Sequence, residues 1–322
     1  MAVRPSPIRT PVRRALCIAV RYEHLRGLGL ELETTHYDPL KISKLLTEIY
    51  GWKDDDITIL MDDPLGEYLL PTRANIMQAM EDLVKDAQFG DEFVFHFSGH
   101  GSQIRNEDGT EKDGFDEVIL PLDVEVDPKD AELRNTKNFI IDDDIRDILV
   151  DSLPAGARLI MIFDSCHSGT AADLPVSNGD WYPRSPVVTS PIGSPVGLTV
   201  KNKILTKRGA EEPQIFSPIS PFWSKELELS SASQPYVTSW SACKDDQLTY
   251  EWEGGLFVEA FTRVLRKNPH PTHSDLLRAL GKELDTYSAW FSSDSDSDAS
   301  TPRPQIGALC PFDQYSNEEF YL

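Results

Sequence analysis

The chain has few cysteines and few positive charges for its size. Four cysteines, Cys17, Cys166, Cys243 and Cys310, are spread over 322 residues with no C-x-x-C pair. Neither a zinc knuckle nor a disulfide framework is therefore indicated. No Asn-x-Ser/Thr acceptor occurs, and the apolar run near the N-terminus, Ala15 to Val20, is too short for a signal-peptide core or a membrane span. Lys and Arg number 31 against 53 Asp and Glu, a formal net charge of −22 and a pI near 4.6. Such a surface repels phosphate backbones and anionic headgroups, which argues against nucleic acid and membrane as partners. A cationic substrate or a divalent metal suits it better. With 40% hydrophobic residues the chain can bury a sizeable core. The expectation is a globular protein of a reducing compartment, the cytoplasm or the nucleus.

Residues 1–14 are rich in Arg and Pro without periodicity and read as a flexible N-terminal arm. A buried strand follows over Ala15–Val20, then a helical stripe from Pro39 to Tyr50, with Gly51 as a candidate C-cap. A strand over Asp56–Met61 and a helix capped by Thr72 and running to about Ala87 come next, then a strand over Glu92–Ser98. Strand, helix, strand, helix, strand is the pattern of parallel βαβ units. Val118–Leu120 and Phe139–Ile141 are short strand candidates, and Asp142 or Asp143 can cap a helix through Leu149. Arg158–Asp164 is a further core strand. Residues 175–235 are dense in Pro and Ser, and a stretch of that kind is usually functional or disordered. A strand over Tyr236–Ser241 and helices over Leu256–Leu265 and Leu276–Trp290 complete the pattern.

Two strands end in chemistry-bearing residues. One runs into Ser98-Gly99-His100-Gly101, the other into Asp164-Ser165-Cys166-His167. The carboxyl edge of a parallel sheet is where ligands and chemistry collect, and an imidazole and a thiol brought there form the Cys–His arrangement of a thiol nucleophile. Two other readings use the same residues. His96, His100, Cys166 and His167 include transition-metal ligand types, and Cys166 could be an inert, half-buried thiol. The run Asp294-Ser-Asp296-Ser-Asp298 imitates an EF-hand loop, but its sixth position is Ala299 and its twelfth Gln305, so it fails that pattern.

The segment His-Phe-Ser-Gly-His-Gly-Ser-Gln (96–103), followed by Phe-Asp-Ser-Cys-His-Ser-Gly-Thr (163–170), resembles the metacaspases, caspase-like cysteine peptidases. Thr72-Arg73-Ala74-Asn75, Asp113-Gly114-Phe115-Asp116-Glu117 and Ser241–Gln247 match in the same order. The resemblance implies an α/β fold, a caspase-like three-layer α/β/α sandwich around a mostly parallel sheet. It also implies cleavage after arginine or lysine, Cys166 as nucleophile and His100 as general acid/base, with the N–H groups of Gly101 and Cys166 at the oxyanion. Asp38, Asp164 and Ser98 would line the pocket for the basic side chain, since a desolvated guanidinium needs a carboxylate partner. Asp38, directly before Pro39, equally suits a helix N-cap. The family is typically calcium-activated, and Asp116, Asp142, Asp143 and Asp173 match its Ca2+ positions, an all-oxygen set fit for a hard cation.

On this reading residues 15–322 are one peptidase domain: a large segment 15–174, a flexible cleavable linker 175–235 and a small segment 236–322. Lys201, Lys203, Lys207 and Arg208 are the expected self-cleavage sites. The basic arm (Arg4, Arg9, Arg13, Arg14) could lie across an acidic cleft as a brake. The expected partners are protein or peptide substrates, and the expected state is a monomer. The family's Gly-Cys before the pocket aspartate is Thr34-Thr35 here. A non-proteolytic quality-control or interaction scaffold on the same fold is the alternative.

Overall fold

The computed structural model describes residues 9–106, 114–128, 133, 136–165, 174, 176–177, 234–241, 254–291, 303–309 and 316–322. Its main sheet contains β1 (Arg13–Ala19), β2 (Ile57–Met61), β3 (Glu92–Ser98), β7 (Arg158–Asp164), β8 (Val176–Ser177), β9 (Tyr236–Ser241) and β10 (Gln305–Ala308). The order is β2-β1-β3-β7-β9-β10-β8, parallel from β2 through β9 and antiparallel at β10 and β8. A small antiparallel sheet, β4 (Gly101–Arg105), β5 (Phe115–Ile119) and β6 (Ile140–Ile141), stands beside it.

Strand alternation divides the core into two faces. Leu16 and Ile18 of β1, Phe93, Phe95 and Phe97 of β3, and Leu159, Met161 and Phe163 of β7 pack with helices α2 (Arg73–Val84) and α3 (Asp142–Leu149). Ala15 and Cys17, Val94, and Ile160 and Ile162 face the other way. They meet α1 (Tyr37–Glu48), α4 (Leu256–Lys267) and α5 (His273–Phe291). The result is the expected three-layer α/β/α sandwich.

Several boundaries differ from the sequence reading, each for a physical reason. Strand β1 starts at Arg13 because the residues before it are tied down. Arg9 pairs with Asp91, Arg13 with Glu92 at 2.7 Å, and Arg14 Nη1 donates to the α2 carbonyls of Asp82 and Leu83 and to that of Lys85. These contacts sit at the amino end of the parallel strands, so Arg9, Arg13 and Arg14 belong to neither a free arm nor a brake at the opposite edge. Arg4 lies outside the described residues. Helix α1 begins at Tyr37 with His36 as N-cap, which places Asp38 inside the first turn and overturns its N-cap reading; Pro39 fits there because first-turn N–H groups need no helical partner. Helix α2 is capped by Thr72, whose hydroxyl accepts from Asn75 N, but it ends at Val84, where Lys85 turns extended and Asp86 takes φ 55. In α3 the N-cap is Ile141, not Asp142 or Asp143. Strands β4, β8 and β10 depart from the sequence reading: Gly101–Arg105 lies in a run whose glycines suggest a loop, Gln305–Ala308 follows a Pro-rich stretch, and Val176–Ser177, inside the expected linker 175–235, pairs with β10, so the linker cannot begin at 175.

Candidate active site

The parallel strands end at one edge. Ala19, Met61, Ser98, Asp164 and the β9 terminus are brought level by the register, with Ser98 directly opposite Asp164. Order along the sheet reverses between β1 and β3, so the edge carries a crevice of the kind in which α/β proteins bind ligands. Ser98 and Asp164 share the face turned to α1 and α4, because positions two and four before them in each strand do so.

His100 follows β3 by two residues. Its Nε2 lies 2.9 Å from the Leu30 carbonyl. A carbonyl only accepts, so Nε2 carries the hydrogen and the neutral ring keeps Nδ1 free of one. Burial pushes the imidazole pKa down, partly opposed by the Leu30 bond, so the ring is neutral near pH 7. The backbone is fixed as well: His100 O accepts from Leu120 N at 3.0 Å, and His100 N donates to the Tyr22 hydroxyl at 3.0 Å. The Tyr22 and His100 rings lie 4.8 Å apart at 34°. Gly101 opens β4 and pairs with Ile119.

Asp38 and Asp164 meet at the start of α4. Asp38 is 0% exposed and Asp164 5%. Gly255 N donates to both oxygens of Asp38, at 3.0 and 2.9 Å. Val258 N donates to Asp164 Oδ2 at 2.8 Å, joined by Phe257 N. Gly255 is the N-cap of α4 and has no side chain, so Asp164 supplies the acceptor that the first turn lacks. Burial, then the charge of Asp38, raise the Asp164 pKa well above the usual carboxylate range. The fit against the backbone is close: a Cβ on Gly255 would lie 2.1 Å from Asp164 Oδ2, and one on Gly254, at φ +120°, 2.4 Å from Asp38 Oδ1. The Lys41 ammonium, which also pairs with Glu259 at 2.7 Å, partly opposes the rise at Asp164. Ser98 is buried, its hydroxyl 2.9 Å from His96 Nε2. His96 lies in the body of the sheet, and its burial pushes its pKa down to about 3.

The residues matching calcium positions are placed on adjoining elements. Asp116, on β5, is buried and accepts from Asn106 Nδ2. Val118 pairs with Ile141, the last residue of β6, and Asp142 and Asp143 open α3 directly after it. Asp142, 1% exposed, accepts from Asp143 N at 3.0 Å through Oδ1. The donors are the hard oxygens calcium takes. Among the described residues, however, no three His, Cys, Asp or Glu side chains come together closely enough to hold a metal. Asp173, Cys166, His167, Lys201, Lys203, Lys207, Arg208 and nearly all of 175–235 lie outside the described residues.

Sequence reasoning missed what surrounds His100 and the carboxylates. Tyr22, the Leu30 carbonyl and Gly254-Gly255 lie far from the motifs in the chain, and a main-chain acceptor carries no side-chain signature. The Gly254-Gly255 pair before an apolar run was the one available signal, that of a backbone approaching something closely.

A family model described as metacaspase, peptidase C14 domain, matches residues 13–175. Metacaspase-1 of Cryptococcus neoformans is 35% identical over 291 residues, 85% of this chain and 60% of its own length. Metacaspase-1 of Emericella nidulans is 33% identical over 319 residues, 94% of this chain and 72% of its own. The chain thus spans about 60% of the Cryptococcus relative. A solved structure of a Geobacter sulfurreducens protein aligns with TM-score 0.54 at 17% identity, covering 96% of this chain and 97% of that one, a likeness of fold. Among the described residues no helix is long and apolar enough to cross a membrane.

Proposed function

The chain belongs to the metacaspase, peptidase C14 family, and on that premise we propose that it is a calcium-dependent cysteine endopeptidase cleaving after Arg or Lys. The observation that carries the reading is the register of Ser98 opposite Asp164. It puts a neutral imidazole with a free Nδ1 just beyond one strand, and on the neighbouring strand a buried carboxylate two residues before Cys166.

The chemistry follows from these groups. Nδ1 of His100 takes the proton of the Cys166 thiol, and the thiolate attacks the carbonyl carbon, forming a C–S bond. The imidazolium returns that proton from Nδ1 to the leaving amine as the C–N bond breaks, and water then hydrolyses the thioester, releasing the acid and restoring the thiol. The N–H groups of Gly101 and Cys166 hold the oxyanion. Asp38 and Asp164 bind the basic side chain: two buried like charges are relieved when a guanidinium enters, and an acidic residue is rejected by both. Both carboxylates are bound to the Gly255–Val258 backbone here, so an entering side chain must displace part of that contact. Asp116, Asp142, Asp143 and Asp173 would hold Ca2+, which would supply countercharge to these carboxylates when bound. Lys201, Lys203, Lys207 and Arg208 are the proposed self-cleavage sites, in a monomer of the cytoplasm or nucleus.

Hydrolysis of Arg-, Lys- and Asp-terminated peptides, with and without calcium and with Cys166→Ala as control, tests this. Calcium-dependent release from the Arg and Lys peptides alone is expected. Absence of hydrolysis of all of them would remove the peptidase reading and leave the scaffold.

A further inference from the structure

Three groups on His100 need partners, and one short segment supplies two of them. Leu30 accepts the ring Nε2–H, and Tyr22 accepts the backbone N–H. The segment is closed on itself, since Leu32 N donates to Arg21 O at 2.8 Å and Leu30 N to Leu25 O at 3.3 Å. The third group, His100 O, is taken by Leu120 N, and the Tyr22 hydroxyl donates to Leu120 O. Tyr22, His100 and Leu120 thus form a closed ring of hydrogen bonds. Burial holds the phenol far above its ordinary range, so it keeps the proton that this ring requires.

Tyr22 holds this place in an unusual conformation. It is fully buried and sits at φ 57, ψ 39, in the left-handed region, which bulky residues seldom occupy. Its backbone is held there from outside: Asp62 Oδ2 accepts Tyr22 N at 3.0 Å and Oδ1 accepts Arg21 N at 2.8 Å, while His36 Nε2 lies 2.7 Å from the same carboxylate. Space for the hydroxyl comes from Gly99, where a Cβ would lie 2.8 Å from the Tyr22 oxygen. A phenylalanine would fill the same core volume. What the hydroxyl adds is the bond to the backbone of His100 and the bond that ties that backbone to β5. Strained backbone conformations persist where the surroundings over-determine them, and they cluster at functional sites.

We infer that Tyr22 is the positioning residue of His100, fixing backbone and ring so that Nε2–H stays on Leu30 and Nδ1 is left as the free base nitrogen. The inference rests on His100 being the general acid/base proposed above. A small displacement of a catalytic group lowers the rate without weakening binding.

Tyr22→Phe tests it with two readouts. The first is kcat and KM on an Arg-terminated peptide. The second is the 15N signature of the His100 ring in histidine-labelled protein, assigned by its loss in His100→Gln. Expected are a roughly 10- to 100-fold drop in kcat with KM within about twofold of wild type, and a ring that passes from one Nε2–H tautomer to a mixture. Unchanged kcat, or an unchanged tautomer, overturns the inference. If wild type hydrolyses nothing, the peptidase reading fails, and the ring signature still decides whether Tyr22 positions His100. If Tyr22→Phe does not fold, Asp62→Asn, which loosens the Tyr22 backbone without touching His100, takes its place. A smaller change in the same direction supports the inference, and a wild-type ring and rate overturn it.

Discussion

Burial acts in opposite senses on the two halves of the candidate site. At His100 it removes a charge: burial lowers the pKa, the ring is neutral, and its Nε2–H and backbone groups have main-chain or phenol partners. At Asp38 and Asp164 it holds two like acids side by side, with the Asp164 pKa driven up by desolvation and by its neighbour. In the first region hydrogen bonds serve a neutral group, and in the second two acids face each other with Lys41 opposing the shift only in part. A base must be ready before substrate arrives, whereas a pocket for a cation gains selectivity by being costly to fill with anything else.

The largest expected effect comes from removing the satisfied half. His100→Ala lowers kcat by about 10²- to 10⁴-fold, read on an Arg peptide with protein shown to be folded by circular dichroism. A drop of less than tenfold would mean that the base lies elsewhere. Next comes the proposed calcium-dependence. Asp142→Ala combined with Asp143→Ala removes the stimulation by calcium, and full stimulation in that protein would place the ion at other residues. On the strained half, Asp164→Asn raises the midpoint of urea unfolding at pH 7, because it replaces an acid whose ionised form is penalised by burial and by Asp38, while an amide oxygen can still accept from Val258 N. A lower midpoint would show that the pair is not repulsive. Gly255→Ala costs about 1–3 kcal/mol of stability, since its Cβ would meet Asp164 Oδ2 at 2.1 Å.

A pH slope sharpens the comparison last. His96, folded near 3 against 6.5 for the free side chain, contributes stability that is present above pH 6.5 and is lost as the pH falls towards 3, at about 1.4 kcal/mol per unit. Asp164 works the other way: its folded pKa is raised, so its contribution is present below 3.8 and is lost as the pH rises through the folded value. The two oppose each other in the wild type. Asp164→Asn should therefore show the steeper loss of stability between pH 6.5 and 4.5, measured by urea unfolding.

The halves also differed in how far the sequence displayed them. His100 and Asp164 stand at the ends of apolar runs bounded by turn residues, so periodicity alone put them at the sheet edge. Strands β3 and β7 were readable to the residue for the same reason, being buried on both faces. Asp38 was ambiguous because a carboxylate before a proline suits a helix cap as well as a pocket, and only the approach of Gly255, 217 positions away in the chain, separates the two. Tyr22 and the Leu30 carbonyl gave no signal, since a fully buried tyrosine in a left-handed turn looks in sequence like any core aromatic. Asp116 on β5 and Asp142 and Asp143 at the start of α3 are linked by a strand pairing too short, two residues in β6, for periodicity to reveal.

The most direct test of the proposed specificity compares an Arg-terminated peptide with its citrulline counterpart, equal in shape and without charge, in calcium. The account predicts a kcat/KM ratio of ~10² or more for wild type, in line with the loss when a buried charge pair is broken, collapsing to within about tenfold of unity in Asp164→Asn. Equal cleavage of both peptides by wild type, or an undiminished ratio in Asp164→Asn, would contradict it.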